Sequence, residues 1–446
     1  MTMKLKNKNF SVVGLGQTGI AAANFLSRQG ALVTVTDSKS REQLLEPLKL
    51  LCADVKTRFQ DPKPSSNAEG VVLSPGVDIR SPFLEEASRR GIEIISEIEL
   101  ANRFNTVPII AITGTNGKST CTSLTAEIFV KAGKKVHAGG NLGTPFISLL
   151  ESGNADYRIL ELSSFQMEAT STLHPIVSVI LNISLDHMDR HKDFKSYIEL
   201  KKKVFARQTQ SDYLILNQDD LNTRDLGKDC PAEIIFFSTK IELEKGIFLR
   251  GNKIIARLNN REIEVMSLES LPMRMQWQVE NILPAIAIAL TLNLPHDAIK
   301  RTLYSFTGLE HRLEWVRNLD GVDFINDSKG TNVGSVCKSL NTFRRPIILI
   351  AGGKDKNTDF FPLKNLIKEK VKHLVLIGET RNKFKEILNG SLGYEESDSL
   401  EEAVGLAKAK AQAGDIVLLS PACSSFDMFK DYADRGTHFK AIVKNL

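Results

Sequence analysis

The segment with the clearest chemical potential is GTNGKST at residues 114–120, which follows an apolar run. Small residues at the start of a helix offer several backbone N–H groups to phosphate oxygens. Lys118 adds a cation for the terminal phosphates, and the Ser119 hydroxyl can ligate Mg²⁺. The loop is a variant of the common phosphate-binding loop, because Ile112 stands where the earlier glycine is usual. The segment predicts a nucleoside triphosphate site, and a plain turn before a capped helix is the alternative.

Acidic and histidine side chains follow two further apolar runs that predict strands. Glu161 lies at the end of the run at residues 157–162, and the segment NISLDHMDRH at residues 182–191 begins where the run at residues 176–183 ends. Neighbouring strands of a parallel sheet present their carboxyl ends at one edge, where nucleotides bind. Carboxylate and hydroxyl oxygens there suit Mg²⁺, which accompanies triphosphates. For each histidine taken alone, a capped and solvated loop is the alternative.

A second glycine-rich turn lies near the N-terminus. Gly14, Gly16 and Gly19 stand between an apolar run at residues 10–15 and a helical pattern, and Asp37 ends the next apolar run. Such glycines let the backbone approach a pyrophosphate at a helix N-terminus, while the acid accepts hydrogen bonds from a ribose or a base. The pattern predicts a nucleotide site but does not distinguish NAD from UDP. A turn that merely lets helix and strand pack is the alternative.

Three polar loops follow predicted strands in the last third of the chain. They read NDSKGTN at residues 326–332, GGKDK at residues 352–356 and SPACSSF at residues 420–426. Their lysines and hydroxyls suit an anionic substrate at the carboxyl edge of a sheet. Each loop taken separately could be an ordinary connection. A serine nucleophile at Ser424 or Ser425 has no strand–turn–helix elbow motif to support it.

The elements that must position these residues follow from the hydrophobic pattern. Short apolar runs alternate with helical patterns, such as those at residues 118–131 and 279–292, which predicts α/β architecture with parallel sheets. Residues 246–267 break this rhythm, because alternating patterns with Gly251-Asn252 and Asn259-Asn260 at the turns predict an antiparallel meander. The last block has strands predicted at residues 322–326, 346–351, 373–377 and 415–420. The chain is therefore predicted to contain three α/β units in a row.

The composition limits the class of protein. At roughly 150 residues per domain, 446 residues predict about three domains. A net charge of +5 over this length is too small to indicate binding to nucleic acid or a membrane surface. Five scattered cysteines without a CxxC pair indicate reduced thiols in a cytosolic chain. The N-terminal apolar run is too short for a signal peptide and no run approaches roughly 18 apolar residues, so a soluble cytoplasmic protein is expected.

Taken together, these motifs resemble those of the Mur ligases, ATP-dependent enzymes that form amide bonds in peptidoglycan precursor synthesis. The resemblance covers essentially the whole chain, in order: GLGQTG, SPG (74–76), GTNGKST, GNLGTP (140–145), ELSSFQ (161–166), LDHMDRH, NDSKGTN, GGKDKN and SPACSSFDMFKDYADRG. It implies an N-terminal Rossmann-like UDP-binding domain (1–97), a central P-loop-type ATPase domain with added antiparallel strands (98–309) and a C-terminal Rossmann-like amino-acid-binding domain (310–446). It also implies a place in cell wall biogenesis, and with it in cell shape and cell division.

Within the family, the terminal segments separate the branches. GTNGKST alone is shared with folylpolyglutamate synthases, whereas GLGQTG and SPACSSFDMFKDYADRG favour the branch that adds D-glutamate. The resemblance implies that ATP phosphorylates the carboxylate of UDP-N-acetylmuramoyl-L-alanine. The D-glutamate amine then attacks the acyl phosphate, with release of ADP and phosphate. It also implies small-molecule substrates only, no nucleic acid, no membrane span and a monomer.

The resemblance also implies roles for individual residues. Catalytic roles fall to Lys118, Glu161, His187 and Lys201. Contacts to ATP fall to Gly114, Thr115, Asn116, Gly117, Lys118, Ser119, Thr120, Asn281, Arg312 and Asp327. Contacts to the UDP substrate fall to Gln17, Thr18, Asp37, Ser74, Asn141 and His187, and contacts to D-glutamate to Lys329, Thr331, Lys356, Ser425 and Phe426. Two Mg²⁺ ions are expected on Ser119, Glu161, His187 and Lys201.

Lys201 is expected to carry a modification. By its spacing from Tyr197, it matches the lysine that this family carbamylates. A bare ammonium would repel the metal ions, whereas a carbamate offers carboxylate-like oxygens. Its neighbours Lys202 and Lys203 are expected on a solvated helix face.

Other interpretations of the sequence predict different activities. A ligase that adds a folate glutamate or diaminopimelate would share the central domain but take another amino acid. A nicotinamide-dependent dehydrogenase rests only on GLGQTG and Asp37 and leaves GTNGKST without a role. A non-catalytic ATP-binding scaffold predicts nucleotide binding with slow or no turnover. Trp277-Gln278 replace the usual His-Asn before Asn281, so the adenine pocket is where a divergent member would differ.

Overall fold

The computed structural model describes residues 4–188, 190–355, 358–390 and 392–446. Its strands form three sheets, of five, nine and six strands, with helices between them, so the predicted three-sheet α/β fold is confirmed. The chain divides into two compact units. The first runs to Leu268 and includes Glu280–Ser305, and the second combines Glu269–Val279 with Phe306–Leu446. Within the described ranges, every helix is too short or too polar to cross a membrane.

The first sheet is entirely parallel and has the order β3-β2-β1-β4-β5. Its strands are β1 (Asn9–Val13), β2 (Leu32–Thr36), β3 (Lys56–Arg58), β4 (Gly70–Leu73) and β5 (Glu93–Ser96). Its helices are α1 (Gln17–Arg28), α2 (Leu45–Leu48), α3 (Pro82–Arg89) and α4 (Glu97–Phe104). The strand order reverses between β1 and β4, which leaves a crevice at their carboxyl ends where ligands bind in such sheets.

The second sheet has the order β14-β13-β12-β11-β10-β9-β6-β8-β7. Its strands are β6 (Ile109–Thr113), β7 (Val136–Gly140), β8 (Tyr157–Glu161), β9 (Val177–Ile180), β10 (Tyr213–Asn217), β11 (Glu233–Ser238), β12 (Gly246–Arg250), β13 (Lys253–Leu258) and β14 (Arg261–Ser267). The helices that follow these strands in the chain are α5 (Lys118–Lys131), α6 (Phe146–Leu149), α7 (Ser164–Glu168), α8 (Phe194–Lys202), α9 (Met273–Gln276), α10 (Val279–Thr291) and α11 (His296–Ser305). Helix α5 begins and ends at the predicted residues.

The predicted antiparallel meander is present at one edge of this sheet. Strands β12, β13 and β14 pair antiparallel, while β12 joins the parallel part of the sheet through β11. The turns lie where they were predicted, with Gly251, Asn259 and Asn260 in the left-handed region. Glycine and asparagine tolerate positive φ best, so the turn residues determine the register of the two hairpins.

The third sheet has the order β15-β16-β20-β17-β18-β19. Its strands are β15 (Glu314–Leu319), β16 (Val322–Asn326), β17 (Ile347–Gly352), β18 (Val371–Ile377), β19 (Tyr394–Glu396) and β20 (Ile416–Leu419). The helices are α12 (Val333–Thr342), α13 (Lys364–Lys370), α14 (Arg381–Leu388), α15 (Leu400–Lys410) and α16 (Tyr432–Asn445). The four predicted strands form the buried centre, and the two edge strands were not predicted because their side chains are only half-buried or exposed.

Candidate active site

A cavity of about 710 Å³ opens at the carboxyl edge of the first sheet. It is formed by the turn between β1 and α1, the ends of β2 and β4, and residues of the segment 140–145 that ends β7 of the second sheet and follows it. Five of the six residues predicted for the UDP substrate line it: Gln17, Thr18, Asp37, Ser74 and Asn141. The sixth, His187, does not. Lys39 and Phe83 also line the cavity, and sequence analysis did not single them out.

Backbone conformation and side-chain hydrogen bonds shape this cavity. Gly14 adopts φ +92°, which favours glycine, and the Ser74 hydroxyl donates to its carbonyl at 2.7 Å. The Asp37 carboxylate accepts from the backbone N–H of Leu15 at 2.7 Å and of Lys39 at 2.9 Å. Asp37 therefore links the end of β2 to the glycine turn after β1, and Ser74 links the end of β4 to the same turn.

The predicted phosphate-binding segment at residues 114–120, the phosphate-type loop, follows β6. It is held in a conformation that requires glycine. Gly117 has φ +89°, and a methyl group there would overlap the side-chain oxygen of Asn281. The Lys118 ammonium donates to the carbonyls of Gly114 at 3.0 Å and Thr115 at 2.9 Å. The lysine thus lies over the loop, in position to meet an anion at the N-terminus of α5.

Two side chains that the sequence did not single out hold this loop. The Asn182 side chain accepts from the backbone N–H of Asn116 and donates to its carbonyl, both at 2.9 Å. The hydroxyl of Tyr197 lies 3.1 Å from that of Thr115. Asn182 ends an apolar run, which was the available signal, whereas no sequence pattern indicates the reach of Tyr197 from α8.

Lys201 is buried beside the loop, with only 1% of its surface exposed. Its ammonium nitrogen donates to the Gly114 carbonyl at 2.8 Å and lies 4.6 Å from the Tyr197 ring centre. Burial and, after it, the positive charge of Lys118 hold the pKa of Lys201 far below its usual value, although Asp186 and Glu161 oppose this shift. A neutral amine is therefore accessible at this position.

The expectation of a solvated face fails for Lys203. Its ammonium donates to the carbonyls of Met167 and Glu168 at 2.9 Å and lies 3.4 Å from that of Thr170. These carbonyls lie at the end of α7, where the helix leaves its last acceptors without partners of its own. Lys203 donates to these acceptors, so both Lys201 and Lys203 form hydrogen bonds to backbone carbonyls inside the protein.

Glu161 connects the loop region with the cavity of the first sheet. It ends β8 and is 2% exposed. Its Oε1 accepts from the Asn141 side chain at 2.6 Å, and Asn141 lines the cavity. Its Oε2 is buried without a hydrogen-bond partner among the described residues. A buried carboxylate oxygen of this kind is energetically costly unless a cation or donor arrives.

His187 lies in the polar loop after β9 with φ +56°. Its ring packs 4.8 Å from that of Phe165, and about half of the side chain is exposed. The His191 ring stacks on Phe165 at 5.3 Å, and its Nε2 forms a hydrogen bond of 3.0 Å with the Ser164 hydroxyl. Burial lowers the pKa of His191 to about 4, so this imidazole is neutral at neutral pH.

Side chains alone do not form a complete metal site in the part of the chain that the structure describes. No group of three or more His, Cys, Asp or Glu side chains is arranged to hold an ion there. The predicted donors Ser119, Glu161, His187 and Lys201 belong to the first unit, as do all the predicted UDP-substrate residues. Any ion bound by this set needs further oxygen ligands, such as those of phosphates.

In the second unit, Asp327 is the centre of a buried polar network. Its Oδ2 accepts from the hydroxyls of Ser339 and Ser420, both at 2.7 Å, and its Oδ1 accepts from the backbone N–H of Leu313 at 3.2 Å. Burial raises its pKa, and the charge of Arg312 opposes this. The Arg312 Nε is itself buried with no partner among the described residues. Both residues were predicted to contact ATP, together with Asn281 of the first unit.

Arg312 also lines a groove of about 570 Å³ in the second unit. Both tryptophans of the chain, Trp277 and Trp315, line the same groove with Gln278. The Trp277 ring packs edge-on against Phe343 at 5.0 Å. The departure from the family pattern at Trp277-Gln278 therefore changes the wall of a groove that a predicted nucleotide-binding residue shares.

Four of the five residues predicted for D-glutamate lie in loops at the carboxyl edge of the third sheet. Ser425 is buried and Phe426 is 67% exposed. Thr331 is half-buried, and the Lys329 ammonium lies 5.2 Å from the ring centre of Tyr432. Lys356 falls outside the described residues. The Ala422 N–H donates to the Gly330 carbonyl at 2.9 Å, which brings two of the three predicted loops together.

Comparison with protein families covers each of the three sheets. A model described as Mur ligase MurD-like, N-terminal domain matches residues 8–96, the Mur ligase middle domain matches residues 112–289, and the Mur ligase, glutamate ligase domain matches residues 311–423. The matched segments follow one another in the order of the sheets.

Individual proteins are similar over the whole chain. A UDP-N-acetylmuramoylalanine–D-glutamate ligase of Geotalea uraniireducens is 45% identical, covering 100% of this chain and 99% of its own length. The protein of the same name from Geobacter metallireducens is 44% identical with the same coverage. A solved pseudomurein peptide ligase type C of Methanothermus fervidus, 18% identical, shares the fold with a TM-score of 0.61, covering 98% of this chain and 100% of its own. Full-length identity at this level and three consecutive domain matches have one explanation: the chain belongs to the Mur ligase family.

Proposed function

We propose that the protein joins D-glutamate to UDP-N-acetylmuramoyl-L-alanine and converts ATP to ADP and phosphate, as a step of peptidoglycan precursor synthesis in the cytoplasm. A carboxylate oxygen of the alanine attacks the γ-phosphorus of ATP, and the bond from that phosphorus to ADP breaks. The amine of D-glutamate then attacks the carbonyl carbon of the acyl phosphate. The carbon–oxygen bond breaks, phosphate leaves with the former carboxylate oxygen, and the amine loses a proton.

The observation that carries this proposal is the link formed by Asn141. Its side chain lines the cavity of the first sheet and donates to Glu161 beside the phosphate-type loop. A nucleotide sugar in the cavity would extend its acyl end towards Asn141, where a transferring phosphoryl group would also lie. The relatives named for this activity are 44–45% identical over the full chain, which supports the same substrates here.

We assign the 114–120 loop, with Asn281, to the phosphates of ATP. Lys118 lies over the loop and would neutralise charge on the γ-phosphate in the transition state. Mg²⁺ fits the donors present, because the Ser119 hydroxyl lies in the first turn of α5 and the Glu161 Oε2 is buried without a hydrogen-bond partner among the described residues. The His187 imidazole is assigned to the same ion. When bound, Mg²⁺ supplies Lewis acidity and charge neutralisation at phosphoryl oxygens. Arg312 and Asp327 are assigned to the same nucleotide from the second unit.

Lys201 would act as a carbamate. A neutral amine attacks CO₂, a nitrogen–carbon bond forms, and one proton is released. Burial and Lys118 lower the pKa of Lys201, which favours the neutral amine that this step requires. The product is an anion on a buried side chain next to Lys118, with oxygens suited to two Mg²⁺ ions.

We assign the three loops of the second unit to D-glutamate, through Lys329, Thr331, Lys356, Ser425 and Phe426. Lysine ammoniums and hydroxyl groups suit an amino acid with two carboxylates. In this proposal residues 1–97 hold the UDP substrate, residues 98–309 the phosphates, and residues 310–446 the amino acid.

The test is ADP formation by the full chain with ATP, Mg²⁺ and UDP-N-acetylmuramoyl-L-alanine, with each candidate amino acid in turn. We expect turnover with D-glutamate and background rates with L-glutamate, L-lysine and diaminopimelate. With ¹⁸O in the alanine carboxylate, we expect one labelled oxygen in the phosphate released.

The outcomes separate the competing activities. Turnover with diaminopimelate would show that another amino acid is joined, and turnover with a folate would show that another substrate accepts the amino acid. Unlabelled phosphate would contradict the acyl phosphate step. Binding of NADH in place of UDP at the first-sheet cavity would favour a dehydrogenase. Tight ATP binding without turnover on any acceptor would favour a non-catalytic protein.

A further inference from the structure

Arg435 lies in the first turn of α16, and its side chain is almost completely buried. Its Nε donates to the Ser328 hydroxyl at 2.9 Å, and one terminal nitrogen donates to the carbonyls of Ser328 at 2.9 Å and Cys423 at 3.1 Å. The other terminal nitrogen donates to the carbonyl of Ser424 at 3.3 Å. All four acceptors are uncharged, and they belong to two separate loops, at residues 326–332 and 420–426.

A third loop and the helix itself complete this arrangement. The Ser328 hydroxyl donates to the Tyr432 carbonyl at 2.8 Å, so the hydrogen bonds return to the start of α16. Gly353 packs against the same point, because an added methyl group would overlap the Ser424 carbonyl and lie 3.2 Å from the Arg435 guanidinium. The N–H of Lys354 also donates to the Ser424 carbonyl, at 2.9 Å. The guanidinium therefore determines where the backbones of three loops meet.

The charge of Arg435 has no close counterion in the described part of the chain. None of the ion pairs there involves its guanidinium, and Asp327 and Asp427 act on it only at longer range. A buried charge is normally paired with an opposite charge, since removing it from water is costly. Here neutral oxygens solvate it instead. Such a charge raises the potential of its surroundings in favour of an anion, because the protein interior screens charge weakly.

We infer that Arg435 is a positioning residue for the amino-acid acceptor: its guanidinium fixes the loops that carry Lys329, Thr331 and Ser425 and favours an anionic ligand in front of them. This inference rests on the proposed function, which assigns those loops to D-glutamate. Arg435 does not contact the ligand in this scheme. It acts through the backbone of Ser328, Cys423 and Ser424 and through its field.

The test compares Michaelis constants in the full chain. Arg435→Lys keeps the positive charge, but an ammonium lacks the planar guanidinium and cannot donate to all four of these acceptors. We expect the KM for D-glutamate to rise roughly 10- to 100-fold, the range for losing one or two hydrogen bonds from a charged group. The KM for the UDP substrate should stay within about twofold, since all its assigned residues belong to the first unit. The KM for ATP should rise less than that for D-glutamate, because only Asp327 of its assigned residues lies in a loop that Arg435 holds. Ser328→Ala removes one acceptor without touching the charge and should raise the KM for D-glutamate by less.

Arg317→Lys is the matched control. The Arg317 guanidinium also donates to backbone carbonyls of the same unit, those of Val443 at 3.2 Å and Lys444 at 3.1 Å, but at the other end of α16. It should leave all three Michaelis constants unchanged. An equal rise in all three for Arg435→Lys, or a lower melting temperature with an unchanged KM for D-glutamate, would overturn the inference. If Arg435→Lys does not fold, an unchanged KM in Ser328→Ala overturns it instead.

The wild type separates this inference from the proposed function. A wild-type protein that does not use D-glutamate contradicts the proposed function, and the same comparison is then made with the amino acid that it does use. A wild type active with D-glutamate, combined with an unaffected Arg435→Lys, contradicts only the role of Arg435.

Discussion

Lys201 in the first unit and Arg435 in the second are both cations with 1% of their surface exposed. Both donate to backbone carbonyls beside a polar loop, Lys201 to Gly114 and Arg435 to Ser328, Cys423 and Ser424. Neither forms an ion pair with a carboxylate in the part of the chain that the structure describes. Burial lowers the pKa of both side chains. Burial and Lys118 hold the pKa of Lys201 far below its usual value, whereas burial lowers the pKa of Arg435 only to about 10.

The difference shows what each residue type can contribute at a buried position. An amine with a lowered pKa loses its proton more readily and can react, which is what the proposed carbamylation of Lys201 requires. A guanidinium retains its proton, and its planar fork donates in several fixed directions. The proposed function thus gives the first unit a buried amine that carbamylation converts to an anion, whereas the second unit has a buried guanidinium that stays charged.

The largest effect should follow from replacing Lys201. We expect both Lys201→Gln and Lys201→Arg to lower kcat on the order of 100-fold or more, the range for losing one group that stabilises transition-state charge. Arginine cannot form the carbamate, so keeping the positive charge should not help. The wild type with ¹³C-bicarbonate should show a carbamate signal by NMR, and both variants should lack it.

Lys202→Gln is the control, because Lys202 lies on the same helix and pairs with Glu199. It should retain wild-type activity and the carbamate signal. High activity in Lys201→Arg would show that a permanent positive charge is sufficient at this position, which would contradict the contrast with Arg435.

Glycine variants test the comparison further. Gly117 lies in the loop that Lys201 contacts, and Gly353 packs against the Ser424 carbonyl that Arg435 contacts. We expect Gly117→Ala to raise the KM for ATP and Gly353→Ala to raise the KM for D-glutamate, each by about tenfold. The added methyl group would overlap the Asn281 side-chain oxygen in the first variant and the Ser424 carbonyl oxygen in the second. Steady-state kinetics with each substrate varied in turn would measure both.

Gly133→Ala is the matched control for backbone strain. Gly133 has φ +79° at the end of α5, but an added methyl group would meet no atom within 4 Å. It should cost about 1 kcal/mol of stability without changing either KM. Similar KM changes in all three variants would mean that general strain, and not the local contacts, explains them.

The smallest effect concerns a third buried ionisable group, Glu97, which is 1% exposed and forms no ion pair with any residue that the structure describes. Burial raises its pKa to about 7, although the N–H of Ile147 donates to it at 2.5 Å. The folded state therefore binds a proton more tightly than the unfolded state, and stability falls as the pH rises from about 4.5 to about 7. We expect Glu97→Gln to remove this loss, which amounts to at most about 3 kcal/mol.

Urea unfolding midpoints between pH 5 and pH 8 would measure the effect. The midpoint of Glu97→Gln should depend less on pH than that of the wild type. Glu85→Gln, an exposed change on α3, should reproduce the wild-type curve. An equally steep pH dependence in Glu97→Gln would show that another group causes it.

Local patterns located most of the elements at the centre of each sheet, although β10 and β11 inside the second sheet were not predicted. A buried parallel strand is a continuous apolar run, and glycine-rich or polar turns mark where it ends. This is why α5, β8 and β16 lie where the sequence predicts them. The edge strands β3, β15 and β19 were missed because they are short or only partly buried, so pairing with a neighbour decides their conformation.

The sequence by itself determined the order of the three α/β units, the phosphate-type loop with Lys118, and the turn glycines, because these depend on residues adjacent in the chain. Only the tertiary structure decided that Tyr197 and Asn182 hold that loop, that Asn141 joins Glu161 to the cavity, and that Lys203 caps α7. It also decided the burial of Lys201 and Arg435. Their protonation and their partners depend on what packs around them from distant parts of the chain, and no local pattern contains that information.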